Sequence, residues 1–138
     1  MKPDITVSIV ADDEALRHTL ACYLNTRGFS CLSTHANAED ALQKLPQTKP
    51  EVILVDINLP GRNGIECVAG LKTVLPASKC VMLTAFEDTD LIFQALAAGA
   101  LGYMLKRVRP AKLLEAIREV HEGGSPMAET IVNNGVNV

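Results

Sequence analysis

Three mostly apolar runs of this chain each end in charged residues. They are residues 7–11 followed by Asp12 and Asp13, residues 52–55 followed by Asp56, and residues 101–105 followed by Lys106. Continuous apolar runs of this length are typical of strands that are buried on both faces of a parallel sheet. Ligands of open α/β sheets bind at the carboxyl ends of the strands, which is where these charges fall. If the three strands are neighbours, three carboxylates and one ammonium converge on one crevice.

Strands and helices are predicted to alternate along the chain, because apolar residues recur at helical spacing between the apolar runs. The five predicted strands are residues 7–11, 29–34, 52–55, 79–84 and 101–105. Pro46 and Pro50 predict a connector before the third strand, and Pro110 suits the first turn of the fifth helix. Five strands alternating with five helices predict an α/β fold whose parallel sheet carries helices on both faces.

Composition excludes several classes of function. The net charge of −3 and the pI near 5.6 give these 138 residues no electrostatic footprint for nucleic acid or anionic lipid. The four cysteines are far apart and only three histidines accompany them, which argues against a zinc site and for reduced thiols. No apolar run approaches the ~20 residues of a membrane span, so we expect a cytoplasmic protein that does not contact the membrane.

The charged residues have structural as well as chemical interpretations. Asp12 and Asp13 can cap a helix beginning near residue 14, or they can join a cation site, and both interpretations stay open. Asp56 is costly after four apolar residues unless it is paired or metal-bound. A divalent oxygen-seeking cation such as Mg²⁺ would relieve the repulsion between the carboxylates. Lys106 could be a surface lysine, but its placement favours an ion pair with this acidic group.

The segment at residues 56–66, DINLPGRNGIE, closely resembles the phosphoacceptor loop of two-component response-regulator receiver domains. The acidic pair, Asp56, Thr84 with Ala85, Tyr103 and Lys106 follow that family's order near its spacing. The resemblance extends from Ile5 to about Glu122. It implies a flavodoxin-like fold with five parallel strands in the order 2-1-3-4-5. It also implies a signalling switch and not an enzyme that turns over a substrate.

The resemblance assigns a role to each matching residue. It makes Asp56 the acceptor of a phosphoryl group from a sensor histidine kinase, a phosphotransfer protein or a small acyl phosphate. It implies that Mg²⁺ is held by Asp13, Asp56 and the backbone carbonyl of Asn58, with Asp12 acting through water. Lys106 would pair with a phosphoryl oxygen. Thr84 and Tyr103 would form the switch that changes the surface of the last two helices and the last strand, although an internal tyrosine is more often a core residue.

Two positions depart from the family pattern. Arg107 follows the lysine where the family often has proline after a cis bond. Phe86 stands two residues after Thr84, where a polar residue can position hydrolytic water. A phenylalanine cannot donate to that water or accept from it, so we expect a slow loss of the phosphoryl group.

The apolar periodicity stops after residue 122, so we predict a receiver domain at 1–122 and a linker or tail at 123–138. The start of that tail, GGSPM at residues 123–127, resembles the junction before a helix-turn-helix output domain in one large subfamily. DNA binding and transcription regulation are therefore expected only through an output domain of a longer parent chain, together with a homodimer on phosphorylation. The alternatives are a stand-alone receiver that acts by protein contact and, with less support, a Mg²⁺-dependent phosphatase. In such phosphatases an aspartate general acid usually occupies the position of Asn58.

Overall fold

One parallel sheet forms the centre of the molecule. The computed structural model describes residues 4–85 and 88–123. The strands are β1 (Ile5–Val10), β2 (Phe29–His35), β3 (Val52–Asp56), β4 (Lys79–Thr84) and β5 (Gly102–Leu105). Their order across the sheet is β2-β1-β3-β4-β5, as predicted. Between them and after β5 lie α1 (Glu14–Asn25), α2 (Ala38–Thr48), α3 (Gly64–Val74), α4 (Thr89–Ala98) and α5 (Pro110–His121).

The helices cover both faces of the sheet, which confirms the predicted architecture. One core lies between the sheet and helices α2, α3 and α4, and the other lies between the sheet and helices α1 and α5. The central strand β3 contributes Ile53 and Val55 to the first core, and Val52 and Leu54 to the second. Its continuous apolar run is explained by this burial on both faces. In the described ranges, no helix has both the length and the apolar character needed to cross a membrane.

The strand register brings the ends of β1 and β3 to the same edge of the sheet. Val10 pairs with Val55, and Asp56 pairs with Leu83 of β4. The residues that follow β1, β3 and β5 therefore emerge together at the carboxyl edge. The outer strand β2 carries a bulge opposite β1, because the register shifts by one residue after Val7. Leu32 is the extra residue of this bulge, and its side chain is exposed.

One predicted boundary is wrong. Pro46 was expected in a connector, but it lies inside α2, which continues to Thr48. Proline has a helical φ, but it lacks the N–H that would donate to the carbonyl four residues earlier, so Pro46 costs α2 one hydrogen bond, and the helix ends two residues later. The helix then ends at Lys49, whose backbone has a left-handed φ of 50° and whose N–H donates to the Leu45 carbonyl at 2.9 Å. Pro50 follows this cap and marks the true connector.

Candidate functional site

Asp56 is a fully buried carboxylate at the carboxyl end of the central strand. Its Oδ1 accepts a hydrogen bond from the Asn58 backbone N–H at 2.9 Å. Its Oδ2 lies 2.6 Å from the Lys106 ammonium. This second contact is ionic, because no donor in the described part of the chain reaches Oδ2 with hydrogen-bond geometry. The buried charge is thus compensated by one cation and one backbone donor.

Lys106 reaches Asp56 from the far side of β4. It follows β5 directly, and its backbone N–H donates to the Thr84 carbonyl at 2.8 Å. This hydrogen bond extends the β4–β5 pairing by one residue and fixes the point from which the side chain starts. The side chain is 27% exposed, so its ammonium lies at the boundary between the buried carboxylate and solvent. The structure therefore brings together two residues that are 50 positions apart in the sequence.

Asp12 and Asp13 are both exposed, just beyond the end of β1. Asp13 is the N-cap of α1, and its Oδ1 accepts from the Leu16 N–H at 3.1 Å. The capping interpretation of Asp13 is therefore confirmed. The predicted three-carboxylate cluster is not formed, because no three His, Cys, Asp or Glu side chains of residues 4–85 and 88–123 lie close enough to hold a metal ion. The physical reason is that the cap turns Asp13 toward its helix, while three adjacent anions repel one another.

The oxygen atoms at this edge of the sheet nonetheless suit a hard divalent cation as ligands. Asp56 Oδ2 is buried with the Lys106 ammonium as its ionic partner, and within the described residues Asp13 Oδ2 makes no hydrogen bond. Asn58 is exposed between the buried side chains of Ile57 and Leu59, which hold its backbone at the edge. Carboxylate and carbonyl oxygens are the ligands that Mg²⁺ takes, and Mg²⁺ keeps several waters.

The loop between β3 and α3 is fixed by interactions that the sequence analysis did not single out. Asn63 and Glu66 form a reciprocal capping box at the start of α3. The Gly64 N–H donates to the Ile57 carbonyl at 2.9 Å, so the first turn of the helix closes back onto the strand end. The Asn-x-x-Glu spacing after a glycine was the available sequence signal, since this pattern marks helix starts.

Thr84 and Tyr103 are both buried. Thr84 is the last residue of β4 and is 3% exposed. Tyr103 pairs with Met82 in the sheet, is 1% exposed and packs in the core beneath α3 and α4. The tyrosine ring therefore occupies the inward position. Its core location agrees with the commoner interpretation of a tyrosine within a strand.

Four sequence features remain: Phe86, the tail, the bond after Lys106 and Pro110. Phe86 and residues 124–138 of the expected linker lie outside the described residues. The bond between Lys106 and Arg107 is trans, since the described residues contain no cis peptide bond. Pro110 begins α5, as predicted.

Comparison with known proteins identifies the family. The model of the response regulator receiver domain matches residues 7–118. The chain is 36% identical over 121 residues to the transcriptional regulatory protein LnrK of Bacillus subtilis, covering 87% of this chain and 55% of LnrK. It is 33% identical over 132 residues to the oxygen regulatory protein NreC of Staphylococcus aureus, covering 94% and 61%. The chain thus spans little more than half the length of these curated relatives.

Solved structures give the same result. A two-component response regulator of the LuxR family from Aurantimonas sp. SI85-9A1 matches with a TM-score of 0.86 and 27% identity, over 96% of this chain and 99% of that one. A CheY-like receiver domain protein from Methanospirillum hungatei matches with a TM-score of 0.80 and 29% identity, over 86% and 94%. The sheet order is that of a receiver domain, and the chain belongs to the family of response regulator receiver domains.

Proposed function

We propose that this chain is a phosphorylation-activated switch of a two-component phosphorelay, with Asp56 as the phosphoacceptor. The observation that carries the proposal is the buried Asp56 carboxylate, held by the Asn58 N–H and paired with Lys106 at 2.6 Å. A carboxylate nucleophile must be ionised, and the adjacent ammonium stabilises that form. When a phosphoryl group arrives, the same ammonium can pair with one of the phosphoryl oxygens.

The proposed reaction is a single displacement at phosphorus. One Asp56 carboxylate oxygen forms the new P–O bond while the bond from phosphorus to the donor breaks, and the donor leaves with the electron pair. The Asn58 N–H holds Oδ1 and so fixes the plane of the attacking carboxylate. Asp13, Asp56 and the Asn58 carbonyl would hold Mg²⁺, with Asp12 acting through water. When bound, that ion supplies charge neutralisation at the transferring oxygens.

The proposed output of the switch is a change of surface. Thr84 would move toward the phosphoryl group and bind it through its hydroxyl, and the Tyr103 ring, which is already buried, would fill the space that Thr84 vacates. Both residues are buried beside the elements whose surface would respond, namely α4, β5 and α5. A sensor histidine kinase or a phosphotransfer protein would supply the phosphoryl group. The domain would act in the cytoplasm.

We further propose that the receiver controls a DNA-binding output domain beyond residue 123 in a longer parent chain. The support is the greater length of the curated relatives and the transcriptional role in the name of LnrK. Residues 1–138 alone should bind duplex DNA weakly or not at all, because their net charge is −3. Sequence-specific binding by these residues would contradict this modular arrangement.

Intact-mass measurement with acetyl phosphate tests the phosphoacceptor. In the presence of Mg²⁺, the wild-type protein should gain one phosphoryl group. Asp56→Asn should gain none, whereas Asp90→Asn, a matched change on the exposed surface of α4, should label like the wild type. Equal labelling of Asp56→Asn would show that the site is elsewhere. Removal of Mg²⁺ by a chelator should abolish labelling of the wild type.

Sedimentation with and without beryllofluoride tests the proposed homodimer. A larger mass with the phosphoryl mimic would support phosphorylation-dependent self-association. An unchanged mass at all concentrations would favour the stand-alone receiver that signals to a different partner. The phosphatase alternative is disfavoured by Asn58, whose amide cannot serve as the general acid. Steady release of phosphate with many turnovers per chain would restore that alternative.

A further inference from the structure

Arg17 holds the backbone that carries the acidic pair. Its Nη1 donates to the Ala11 carbonyl at 2.6 Å, six residues earlier in the chain. On its other side, the buried Ala11 donates its N–H to the His35 carbonyl of β2 at 2.9 Å. Both peptide groups of Ala11 are therefore tied down. The hydrogen bond from the Ala11 N–H belongs to the sheet, whereas the one to the Ala11 carbonyl depends on a single side chain.

Arg17 also contacts the other end of the acidic pair. Its backbone N–H donates to the Asp13 carbonyl at 3.0 Å, as the first hydrogen bond of α1. Arg17 thus donates to the carbonyls of both neighbours of Asp12. Its side chain donates to the Ala11 carbonyl, and its backbone N–H donates to the Asp13 carbonyl. Together with the Asp13 side-chain cap to Leu16, these contacts leave the loop few alternative conformations.

Among the described residues, the Arg17 guanidinium is not paired with either carboxylate of the acidic pair, Asp12 and Asp13. An arginine that orders an acidic loop through a carbonyl leaves the carboxylate oxygens available to another cation. Arginine suits this arrangement because its planar group presents several donors from a semi-rigid stem.

We propose that Arg17 is a positioning residue that preorganises Asp12 and Asp13 to bind Mg²⁺ together with Asp56. This inference rests on the proposed function, since it assumes that the cation binds at this edge of the sheet. Ordering the loop before the ion arrives removes an entropic cost from binding. It also opposes the mutual repulsion that would otherwise drive the two carboxylates apart.

A simple electrostatic argument predicts the opposite sign. A guanidinium near a divalent cation repels it, so removing Arg17 should tighten Mg²⁺ binding if Arg17 contributes only its charge. If Arg17 orders the loop, removing it should weaken binding. The direction of the change therefore separates the two roles without any assumption about its size.

Isothermal titration of Mg²⁺ into the unphosphorylated protein decides between them. Arg17→Met keeps the aliphatic stem and should weaken binding about tenfold, equivalent to ~1.4 kcal/mol. Arg17→Lys should recover part of the affinity, because an ammonium can donate to the Ala11 carbonyl. Arg27→Ala is the matched charge control, because Arg27 stacks on Tyr23 near the distant end of α1, and it should bind Mg²⁺ within about twofold of the wild type. Unchanged or tighter binding by Arg17→Met would overturn the proposal.

A second measurement separates positioning from general destabilisation. The Mg²⁺ concentration for half-maximal labelling by acetyl phosphate should rise about tenfold in Arg17→Met, with the rate at saturating Mg²⁺ within about threefold of the wild type. A lower labelling rate at saturating Mg²⁺, with an unchanged Mg²⁺ concentration for half-maximal labelling, would contradict the proposal. If Arg17→Met does not fold, the same comparison is made with Arg17→Gln and Arg17→Lys. A wild-type protein that binds no Mg²⁺ would refute the proposed function itself, whereas wild-type binding with no effect at Arg17 refutes only this inference.

Discussion

Gly64 lies directly against the backbone of Asp56, with no room for a side chain between them. A β-carbon at Gly64 would overlap the Asp56 carbonyl oxygen and would lie 2.6 Å from Ile57 Cα. The first residue of α3 therefore rests on the strand end that carries the buried carboxylate. Residues 57–63 leave β3 and bring the chain back to the backbone of Asp56 at Gly64. The shape of this loop therefore depends on the glycine.

We expect Gly64→Ala to destabilise the domain by at least about 1–3 kcal/mol, because the added methyl group can be accommodated only by moving backbone. Labelling of Asp56 should fall as well, since the Asn58 N–H that holds Oδ1 belongs to the same loop. Gly70→Ala is the matched control within α3, where the new β-carbon would meet only the flexible end of Leu42. Urea denaturation followed by circular dichroism measures both variants. Equal stability of the two would contradict the steric account.

The ion pair between Asp56 and Lys106 should be energetically asymmetric. Asp56 is 0% exposed, whereas the Lys106 side chain is 27% exposed and can turn toward water. Lys106→Met leaves a buried carboxylate without its cation, so we expect a loss of up to about 3–5 kcal/mol. Asp56→Asn should cost less, because the released ammonium reaches solvent.

The double variant Asp56→Asn/Lys106→Met checks the same relationship. It should be more stable than Lys106→Met alone, since the unpaired buried charge has been removed. A double-mutant cycle at neutral pH, measured by urea denaturation, gives the coupling energy. Additive effects within about 0.5 kcal/mol would mean that the contact contributes nothing specific to stability.

Asp40 should contribute a pH-dependent part of the stability. Hydrogen bonds from the Lys44 ammonium and from His35 lower the pKa of the Asp40 carboxyl below its usual range. A lowered folded-state pKa contributes stability that is present above the unfolded pKa of about 3.9 and is lost as pH falls through the folded value. Asp40→Asn should therefore lower Tm by a few degrees at pH 7, with the difference from the wild type shrinking below about pH 4. A difference in Tm between Asp40→Asn and the wild type that stays constant across this pH range would refute the explanation.

The four thiols should differ sharply in reactivity. Burial raises the pKa of Cys67 to about 12 and that of Cys80 to about 12, so neither forms thiolate at pH 8. Cys22 is exposed and should react first with a disulfide reagent, whereas burial raises the pKa of the half-buried Cys31 and should slow it. The two buried thiols should react at least about a thousandfold more slowly, through unfolding. Loss of the fast phase in Cys22→Ser checks the assignment, and rapid reaction of all four thiols would contradict it.

Much of the fold could be predicted from the sequence because the signals were local. Buried parallel strands require continuous apolar runs, and the runs at 52–55 and 79–84 lie within the observed strands. The glycine at position 99 and the proline at 110 bound helices for equally local reasons of backbone geometry. Pro46 misled the prediction because a proline often ends a helix, whereas α2 continues past it to Thr48.

The sequence by itself determined that charged residues follow the apolar strands and that the chain resembles a receiver domain. Only the tertiary structure decided which groups meet. The pairing of Lys106 with Asp56 depends on β5 lying two strands from β3, and the contact of Gly64 with Asp56 depends on how α3 returns to the sheet. Asp13 was equally suited to capping and to cation binding, and only the structure showed that its Oδ1 caps α1. The physical reason is that propensity and periodicity act over a few residues, whereas these contacts are fixed by the packing of the whole sheet.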